Sequence, residues 1–119
     1  KKMLDAHPPR PGSFDLKQDP GGMIDIEFMV QYLVLQHAAQ YPQLTANSGN
    51  IALLRLCGEL GLIDAQLAGL VADAYRALRK LQHQLRLQGQ DLARVEPERV
   101  RVHAENVMRL WQAIFGAAA

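Results

Sequence analysis

A regular series of apolar residues in the middle of the chain constrains the fold more than any other feature of this sequence. The series recurs at alternating steps of four and three residues: Leu67, Val71, Ala74, Leu78, Leu81 and Leu85. That spacing places one apolar stripe along a helix and is typical of a seam between packed helices. Asp64 precedes the series and Gly89 follows it, so we predict one long helix from Asp64 to about Gln88.

Two more helices are predicted upstream of this one. The first begins at about Glu27 and ends before Pro42, because proline disfavours helical conformation in the residue that precedes it. Its first half is apolar nearly all round, which is expected of a helix enclosed by other helices. The second helix has Asn47 or Ser48 as its N-terminal cap and ends near Gly61.

A last helix is predicted to start at Glu96-Pro97, with proline in the first position, and to end at Gly116. Its inner stripe combines apolar residues with one histidine: Val100, His103, Val107, Leu110, Trp111 and Ile114. Four helices with short connections predict a mainly α fold, an antiparallel four-helix bundle. At 119 residues the chain has the size of one domain.

The segment before the first helix has a different pattern. Residues 1–13 contain three of the six prolines and are predicted to be an extended lead-in. Apolar and polar residues alternate in Phe14–Lys17 and again in Met23–Ile26, on either side of turn-forming residues 19–22. We therefore predict a short N-terminal β-hairpin between these two segments, or an extended segment in its place.

Overall charge provides no reason to expect nucleic acid or a membrane as a partner. Thirteen Lys and Arg residues against twelve Asp and Glu residues leave a formal net charge of +1. The later helices are locally basic, however, since eight basic residues stand against four acids between Arg76 and Arg109. A solvated helix face explains such an excess, and a surface for phosphate or an acidic partner is the alternative.

The features that bear on location favour the cytoplasm. No apolar run reaches the length of about 18 residues that a membrane span requires, and no signal peptide is visible. The single cysteine, Cys57, excludes an internal disulfide and fits a reducing compartment. It lies on an apolar helix face, which favours a small core residue over a nucleophile. Because the chain begins with Lys1 rather than Met, we expect a piece of a longer protein.

Two acids in an apolar run are the strongest candidates for chemistry. Asp25 and Glu27 are surrounded by apolar residues, and buried carboxylates are costly unless they are paired or bound to a metal. On a strand both carboxylates would face one side, suited to Mg²⁺, while Ile24, Ile26 and Phe28 would face a core. On a helix the two acids would diverge by about 200°, and no shared site would form. Two solvated acids on a strand edge are the alternative to a metal site.

Other candidate sites have less support. Structural roles are predicted for the histidines, because no two of them have the spacing of metal ligands. They are His7, His37, His83 and His103. Gly21-Gly22 is too short for a dinucleotide-binding or phosphate-binding loop, and we interpret it as a turn.

The segment around the two acids resembles a known family. Residues 14–38, FDLKQDPGGMIDIEFMVQYLVLQHA, are similar to the C-terminal half of bacterial glutamine synthetase adenylyltransferase (glutamate–ammonia-ligase adenylyltransferase). The core of the match is Lys-x-x-x-Gly-Gly-x-x-Asp-x-Glu-Phe, which starts at Lys17. The likeness continues through the later helices, for example at Tyr75 and His83, and covers most of residues 14–90.

The resemblance implies a nucleotidyltransferase. Enzymes of this family carry two such halves, of which one adds AMP from ATP to a tyrosine of glutamine synthetase and the other removes it. Each half has a polymerase-β-like catalytic domain followed by a helical bundle. This implies that residues 1–26 are an extended lead-in and the end of a catalytic domain, and that residues 27–119 are the bundle. The segment beginning at Met23 resembles the AMP-adding half.

The resemblance also implies roles for individual residues. Asp25 matches the third acid that holds Mg²⁺ in these catalytic domains, and Glu27 would support it as a second catalytic residue. Lys17, in the partner strand of the predicted hairpin, would neutralise these acids or contact the phosphates of ATP. The full-length enzyme is therefore expected to use Mg²⁺ and ATP, to act on glutamine synthetase, and to meet a PII-type nitrogen signalling protein.

The 119 residues alone are expected to be inactive. The family's first two metal-binding acids come from a Gly-Ser…Asp-x-Asp motif, and no such motif precedes Phe14. Transfer of this type depends on metal ions and positioning, so the loss of two ligands should abolish it. We expect no cofactor, nucleic acid or membrane on this chain. The alternative function is a non-catalytic helical module that docks an acidic partner through Arg76, Arg79, Lys80 and Arg86.

Overall fold

The structure is a computed structural model, and it describes residues 13–46, 49–89 and 94–116. Four helices make up most of this part: α1 (Met23–His37), α2 (Asn50–Glu59), α3 (Ala65–Leu87) and α4 (Arg101–Phe115). Two short strands, β1 (Phe14–Asp15) and β2 (Arg94–Val95), and two 3₁₀ turns, Pro42–Thr45 and Pro97–Arg99, complete it. The predicted mainly α fold is confirmed. Among the described helices, none has both the length and the apolar character needed to cross a membrane.

Helix α3 is the central element, as its apolar series predicts. The carboxylate of Asp64 caps it by accepting a hydrogen bond from the amide of Leu67 at 2.8 Å. The first four members of the series are buried: Leu67, Val71, Ala74 and Leu78. Leu81 and Leu85, towards the end of the helix, are half-buried. Helix α3 packs most extensively on α2 and then on α4.

Helices α2 and α3 approach closely because small residues meet where they touch. A Cβ atom on Gly58 would lie 3.0 Å from the Cβ of Ala68 and 3.1 Å from the Cα of Ala65. Leu54 and Cys57 of α2 are fully buried in the same region. Burial raises the pKa of the Cys57 thiol, which keeps it protonated and unreactive at neutral pH. Cys57 is therefore a core residue, as predicted.

The ends of α1 and α4 also agree with the prediction. Helix α1 stops at His37, before Pro42, and α4 stops at Phe115 with Gly116 after it. Gly116 has a φ of +85°, a conformation that glycine adopts without steric cost. Helix α4 starts later than predicted, because Pro97–Arg99 form a 3₁₀ turn first.

The predicted N-terminal hairpin is wrong. Strand β1 pairs with β2 from the other end of the chain, in antiparallel register, with Phe14 opposite Val95. Residues 23–26 are the first turn of α1, which begins at Met23 rather than Glu27. Four residues of alternating polarity are too few to distinguish a strand from the start of an amphipathic helix.

One side of α1 is exposed, although its apolar composition predicts a helix enclosed on all sides. The side chains of Phe28 and Leu35 are 53% and 84% exposed. The rings of Phe28 and Tyr32 lie against Trp111 and Phe115 of α4, with centroid separations of 5.7 Å for Phe28–Trp111 and 4.9 Å for Tyr32–Phe115. The described part of the chain covers these rings on one side only.

Some predictions concern residues that the structure does not describe. The lead-in, residues 1–13, is described only at Ser13, and Asn47 and Ser48 also lie outside the described residues. The N-cap position of α2 is Gly49, so the prediction of Asn47 or Ser48 at that position is wrong. The division of the chain after residue 26 stays a prediction. Leu16, on the N-terminal side of that division, is fully buried in the same apolar cluster as the core of α3.

Candidate functional site

The loop between β1 and α1 is held together by carboxylates. One oxygen of Asp15, Oδ1, accepts a hydrogen bond from the amide of Lys17 at 2.9 Å, and Asp19 Oδ2 accepts one from the amide of Asp15 at 2.9 Å. Arg94 of β2 lies 3.9 Å from the second Asp15 oxygen and donates to the Ser13 hydroxyl at 2.9 Å. The Arg94 and Asp15 side chains are only 13% and 21% exposed, so the pair is partly desolvated.

Gly21 and Gly22 lie where this loop passes under α4. Gly21 has a φ of +88°, and a Cβ atom there would lie 2.8 Å from the Cβ and the carbonyl oxygen of Ala104. A Cβ atom on Gly22 would lie 2.8 to 2.9 Å from three carbonyl oxygens of the loop itself. Side chains are excluded at both positions, because real Cβ atoms do not approach other atoms so closely. The turn predicted for Gly21-Gly22 is confirmed, and close packing is its second role.

The same loop caps the start of α1. The amides of Met23 and Ile24 donate to the carbonyl oxygens of Leu16 and Lys17 at 2.8 and 3.0 Å. These are two of the four amides that a helix N-terminus leaves without an intrahelical partner. Asp25 Oδ2 accepts a hydrogen bond from the amide of the preceding Gly21 at 2.8 Å. The Asp25 carboxylate therefore lies in the first helical turn, where negative charge is favourable.

Glu27 belongs to a group of polar side chains between three helices, here called the Tyr75 cluster: Glu27, Asn50, Tyr75 and Arg79. The Tyr75 hydroxyl donates to Glu27 Oε2 at 2.8 Å and accepts a hydrogen bond from Asn50 Nδ2 at 3.1 Å. The guanidinium of Arg79 lies over the Tyr75 ring, 5.8 Å from its centroid. Burial raises the pKa of Tyr75, and its hydrogen bond to Glu27 raises that pKa further. The phenol is therefore protonated at neutral pH.

Asp25 and Glu27 do not share a site, and the strand geometry predicted for them is wrong. Both lie on α1, where residues two positions apart point about 200° away from each other. Their hydrogen-bond partners accordingly differ, since Asp25 faces the glycine loop and Glu27 faces α3. Ile26, between them, is fully buried, whereas Ile24 and Phe28 are 45% and 53% exposed and do not face the core.

Lys17 lies in the loop and not in a strand, and its side chain is exposed. Its backbone is used for folding, because the amide donates to Asp15 and the carbonyl oxygen accepts from Ile24. The contact with phosphate stays a prediction.

The described residues do not form a magnesium site by themselves. Across residues 13–46, 49–89 and 94–116, no three His, Cys, Asp or Glu side chains come together in a way that would hold a metal ion. Mg²⁺ usually takes one or two carboxylates together with phosphate oxygens and water, so Asp25 could supply one ligand of a larger set. The catalytic roles of Asp25 and Glu27 stay predictions.

The sequence reasoning missed the residues that hold the site together. Tyr75 and Asn50 stand out in the sequence only as part of the family likeness, and no sequence pattern singles out Arg94. The Tyr75–Glu27 hydrogen bond joins positions 48 residues apart, and the Arg94–Ser13 bond joins positions 81 residues apart. One local feature points to this cluster: Tyr75, which has a hydroxyl group, lies next to Ala74 of the apolar series in α3.

The basic residues of the alternative function do share one surface of α3, here called the basic face: Arg76, Arg79, Lys80, His83 and Arg86. Together with Gln82 they line a concavity of about 340 Å³. All five side chains of the basic face are exposed. Four of the eight basic residues between Arg76 and Arg109 therefore share one surface in the structure.

The family described as GlnD PII-uridylyltransferase matches residues 3–95 of the chain. Curated relatives named bifunctional glutamine synthetase adenylyltransferase/adenylyl-removing enzyme match nearly all of it. Identity is 53% over 118 residues for the protein of Aromatoleum aromaticum, 54% over 117 for Burkholderia mallei and 50% over 129 for Nitrosomonas eutropha.

The matches differ greatly in how much of each protein they cover. They include 99%, 98% and 97% of this chain, but 12%, 13% and 14% of the respective relatives. The chain thus spans about an eighth of the length of the curated relatives it matches. The resemblance to adenylyltransferases, inferred from the motif around Asp25, is confirmed.

Proposed function

Because the chain belongs to the GlnD PII-uridylyltransferase family, we propose that it is the helical part of a larger nucleotidyltransferase that transfers AMP from ATP to a tyrosine of glutamine synthetase. The observation that carries this proposal is the 53% identity, over 99% of the chain, to the Aromatoleum aromaticum enzyme. The description of the family names a uridylyltransferase, whereas the relatives are named as adenylyltransferases. Nucleotidyl transfer is common to both, and the identity to the relatives favours AMP.

In this proposal the described helices support a catalytic domain. The loop after β1 is fixed by β2 and α4, and Glu27 is fixed by Tyr75 of α3, whose hydroxyl in turn accepts from Asn50 of α2. Rigid support suits a reaction that depends mainly on the positioning of its groups. Residues 1–26 would then be the end of the catalytic domain and residues 27–119 the bundle, in the AMP-adding half of the enzyme.

The full-length enzyme would use ATP and Mg²⁺ and would act in the bacterial cytoplasm, a reducing compartment that suits the single buried Cys57. Its partners would be glutamine synthetase and a PII-type signalling protein. Asp25 would provide one magnesium ligand, with Glu27 and Lys17 in support. The remaining ligands would come from outside the described residues.

A chimera tests the function directly. The matching segment of the Aromatoleum aromaticum enzyme is replaced by these 119 residues, and incorporation of labelled AMP into glutamine synthetase is measured. We expect the chimera to transfer AMP and the isolated 119 residues to transfer none. A folded chimera without activity would contradict the proposed role, and AMP transfer by the isolated chain would contradict its dependence on a catalytic domain.

The role of Asp25 is tested with Asp25→Asn in the active chimera, because asparagine keeps an oxygen for the Gly21 amide. If Asp25 holds Mg²⁺, the turnover number should fall about 100-fold or more and the Mg²⁺ dependence should shift, with little loss of stability. Glu27→Gln is the matched variant, since glutamine still accepts from Tyr75. Near-normal turnover of the Asp25→Asn chimera would remove Asp25 from the metal site.

A further inference from the structure

The basic face of α3 carries more positive charge than the contacts among the described residues offset. After Asp73, the rest of α3 contains no acid, and its four cations and His83 all lie on one side of the helix. From Arg76 to Arg86 this side extends about 15 Å along the helix axis, at about 1.5 Å per residue. Like charges three and four residues apart repel each other, so this arrangement is unfavourable for an isolated helix.

Few contacts within the chain offset this charge. Arg76 lies 3.8 Å from Asp73, but both side chains are more than half exposed. The Arg79 guanidinium rests on the ring of Tyr75, which is an uncharged group. Within the described residues, neither Lys80 nor Arg86 has an acidic side chain within ion-pair distance. The basic face is therefore available to an external anion.

The shape of the basic face favours one kind of anion. Every described residue that lines the concavity belongs to α3, so these residues would hold a small ligand from one side only and leave it largely solvated. Among the described residues, the lining contains no aromatic side chain on which nucleic acid bases could stack. A row of carboxylates on a protein surface, spaced over about 15 Å, would contact all the cations at once.

We propose that the basic face of α3 is a docking surface for an acidic protein segment that presents a row of carboxylates. This goes beyond the proposed catalytic function and does not depend on it, because it concerns residues on the outside of the bundle. Arginine adds directional contacts here, since its planar guanidinium matches the two oxygens of a carboxylate. The long side chains and the open surface predict weak binding that depends strongly on salt.

The test uses a fluorescein-labelled peptide of about 12 residues, about 18 Å long as a helix, with glutamate at every third or fourth position and alanine elsewhere. Fluorescence anisotropy measures its binding to the 119-residue chain at low salt. The variant Lys80→Glu/Arg86→Glu reverses two charges of the basic face. The matched control Arg99→Glu/Arg109→Glu reverses two exposed charges elsewhere, so both proteins have the same net charge.

We expect the dissociation constant to rise about ten-fold or more in Lys80→Glu/Arg86→Glu and to change less than about two-fold in the control. Circular dichroism should show the same helix content in both variants as in the original chain. No binding to the original chain would overturn the proposal. Equal loss in both variants would also overturn it, because net charge alone would then explain the binding. Displacement of the peptide by inorganic triphosphate or duplex DNA at equal or lower concentration would overturn it in favour of a general polyanion surface.

Discussion

Replacement of Tyr75 by phenylalanine removes one hydroxyl from the centre of the described helices. That hydroxyl donates to Glu27 at 2.8 Å and accepts from Asn50 at 3.1 Å, in a residue that is 6% exposed. A hydrogen bond to a charged group contributes about 1.5–3 kcal/mol and a neutral one about 0.5–1.5 kcal/mol. Because Glu27 is only half-buried, water would replace part of the lost interaction. We expect Tyr75→Phe to lower the free energy of unfolding by about 2 kcal/mol.

Urea unfolding of the 119-residue chain, followed by circular dichroism at helical wavelengths, measures this loss. The midpoint should fall while the slope of free energy against urea stays the same, because a single hydroxyl does not alter the surface exposed on unfolding. Thermal unfolding should shift down by about 8 °C for a chain of this size. The control is Tyr32→Phe, since Tyr32 is 36% exposed and its ring packs on Phe115.

The raised pKa of Tyr75 makes the stability of the chain depend on pH in a direction that can be predicted. Below pH of about 10, the ordinary pKa of tyrosine, the residue is protonated in both the folded and the unfolded chain. Above that pH the unfolded chain loses this proton first, because burial and the hydrogen bond to Glu27 raise the pKa of folded Tyr75. The contribution of Tyr75 to stability is therefore full below pH of about 10 and decreases above it.

Comparison of Tyr75→Phe with Tyr32→Phe distinguishes loss of the hydrogen bonds of Tyr75 from a general effect of losing a hydroxyl. The stability difference between the original chain and Tyr75→Phe should shrink as the pH rises above about 10, whereas Tyr32→Phe should stay within about 0.5 kcal/mol throughout. Equal losses in the two variants would refute the importance of the Tyr75 cluster. A difference that grows with pH would refute the direction of the pKa shift.

Two further pairs of variants test the packing. Gly21→Ala should destabilise the chain by about 2–3 kcal/mol, because φ is +88° and the new Cβ would lie 2.8 Å from Ala104. Gly69→Ala, at an open position within α3, should instead stabilise the chain by about 0.5–1 kcal/mol. Leu54→Ala, at a fully buried position, should cost about 3 kcal/mol by leaving a cavity, and Leu87→Ala, 75% exposed, should cost little. Urea unfolding measures all four, and similar changes within either pair would contradict the packing described.

The limits of helix α3 were predictable because their determinants are local. The carboxylate of Asp64 caps an amide only three residues away, and the apolar series repeats within the helix itself. Strand β1 begins at Phe14 as predicted, but it ends at Asp15 instead of Lys17 and has a different partner, since Phe14 pairs with Val95 near the other end of the chain. No pattern within residues 14–26 contains information about that partner.

The candidate site was less predictable than the fold. Asp25 and Glu27 stood out because they interrupt an apolar run, and the structure does give each a hydrogen-bond donor. Those donors are the Gly21 amide and the Tyr75 hydroxyl. The first follows only from the helical geometry of Met23 onwards, and the second depends on how α1 and α3 pack. The two-residue spacing of the acids predicts a shared site on a strand and separate sites on a helix. It does not say which of the two structures is present.

The family motif is explained in large part by folding, and this determines how its catalytic role must be tested. Gly21 and Gly22 are required by close packing, Asp25 accepts a hydrogen bond at the start of α1, and Glu27 joins α1 to α3. An alanine at either acid would remove a structural contact together with any chemistry, so a loss of activity would have two explanations. Substitution of Asp25 by asparagine and of Glu27 by glutamine keeps one acceptor oxygen, removes the charge and replaces the second oxygen by an NH2 group. Activity lost at unchanged stability in these two variants therefore reports on catalysis, whereas activity and stability lost together report on the fold.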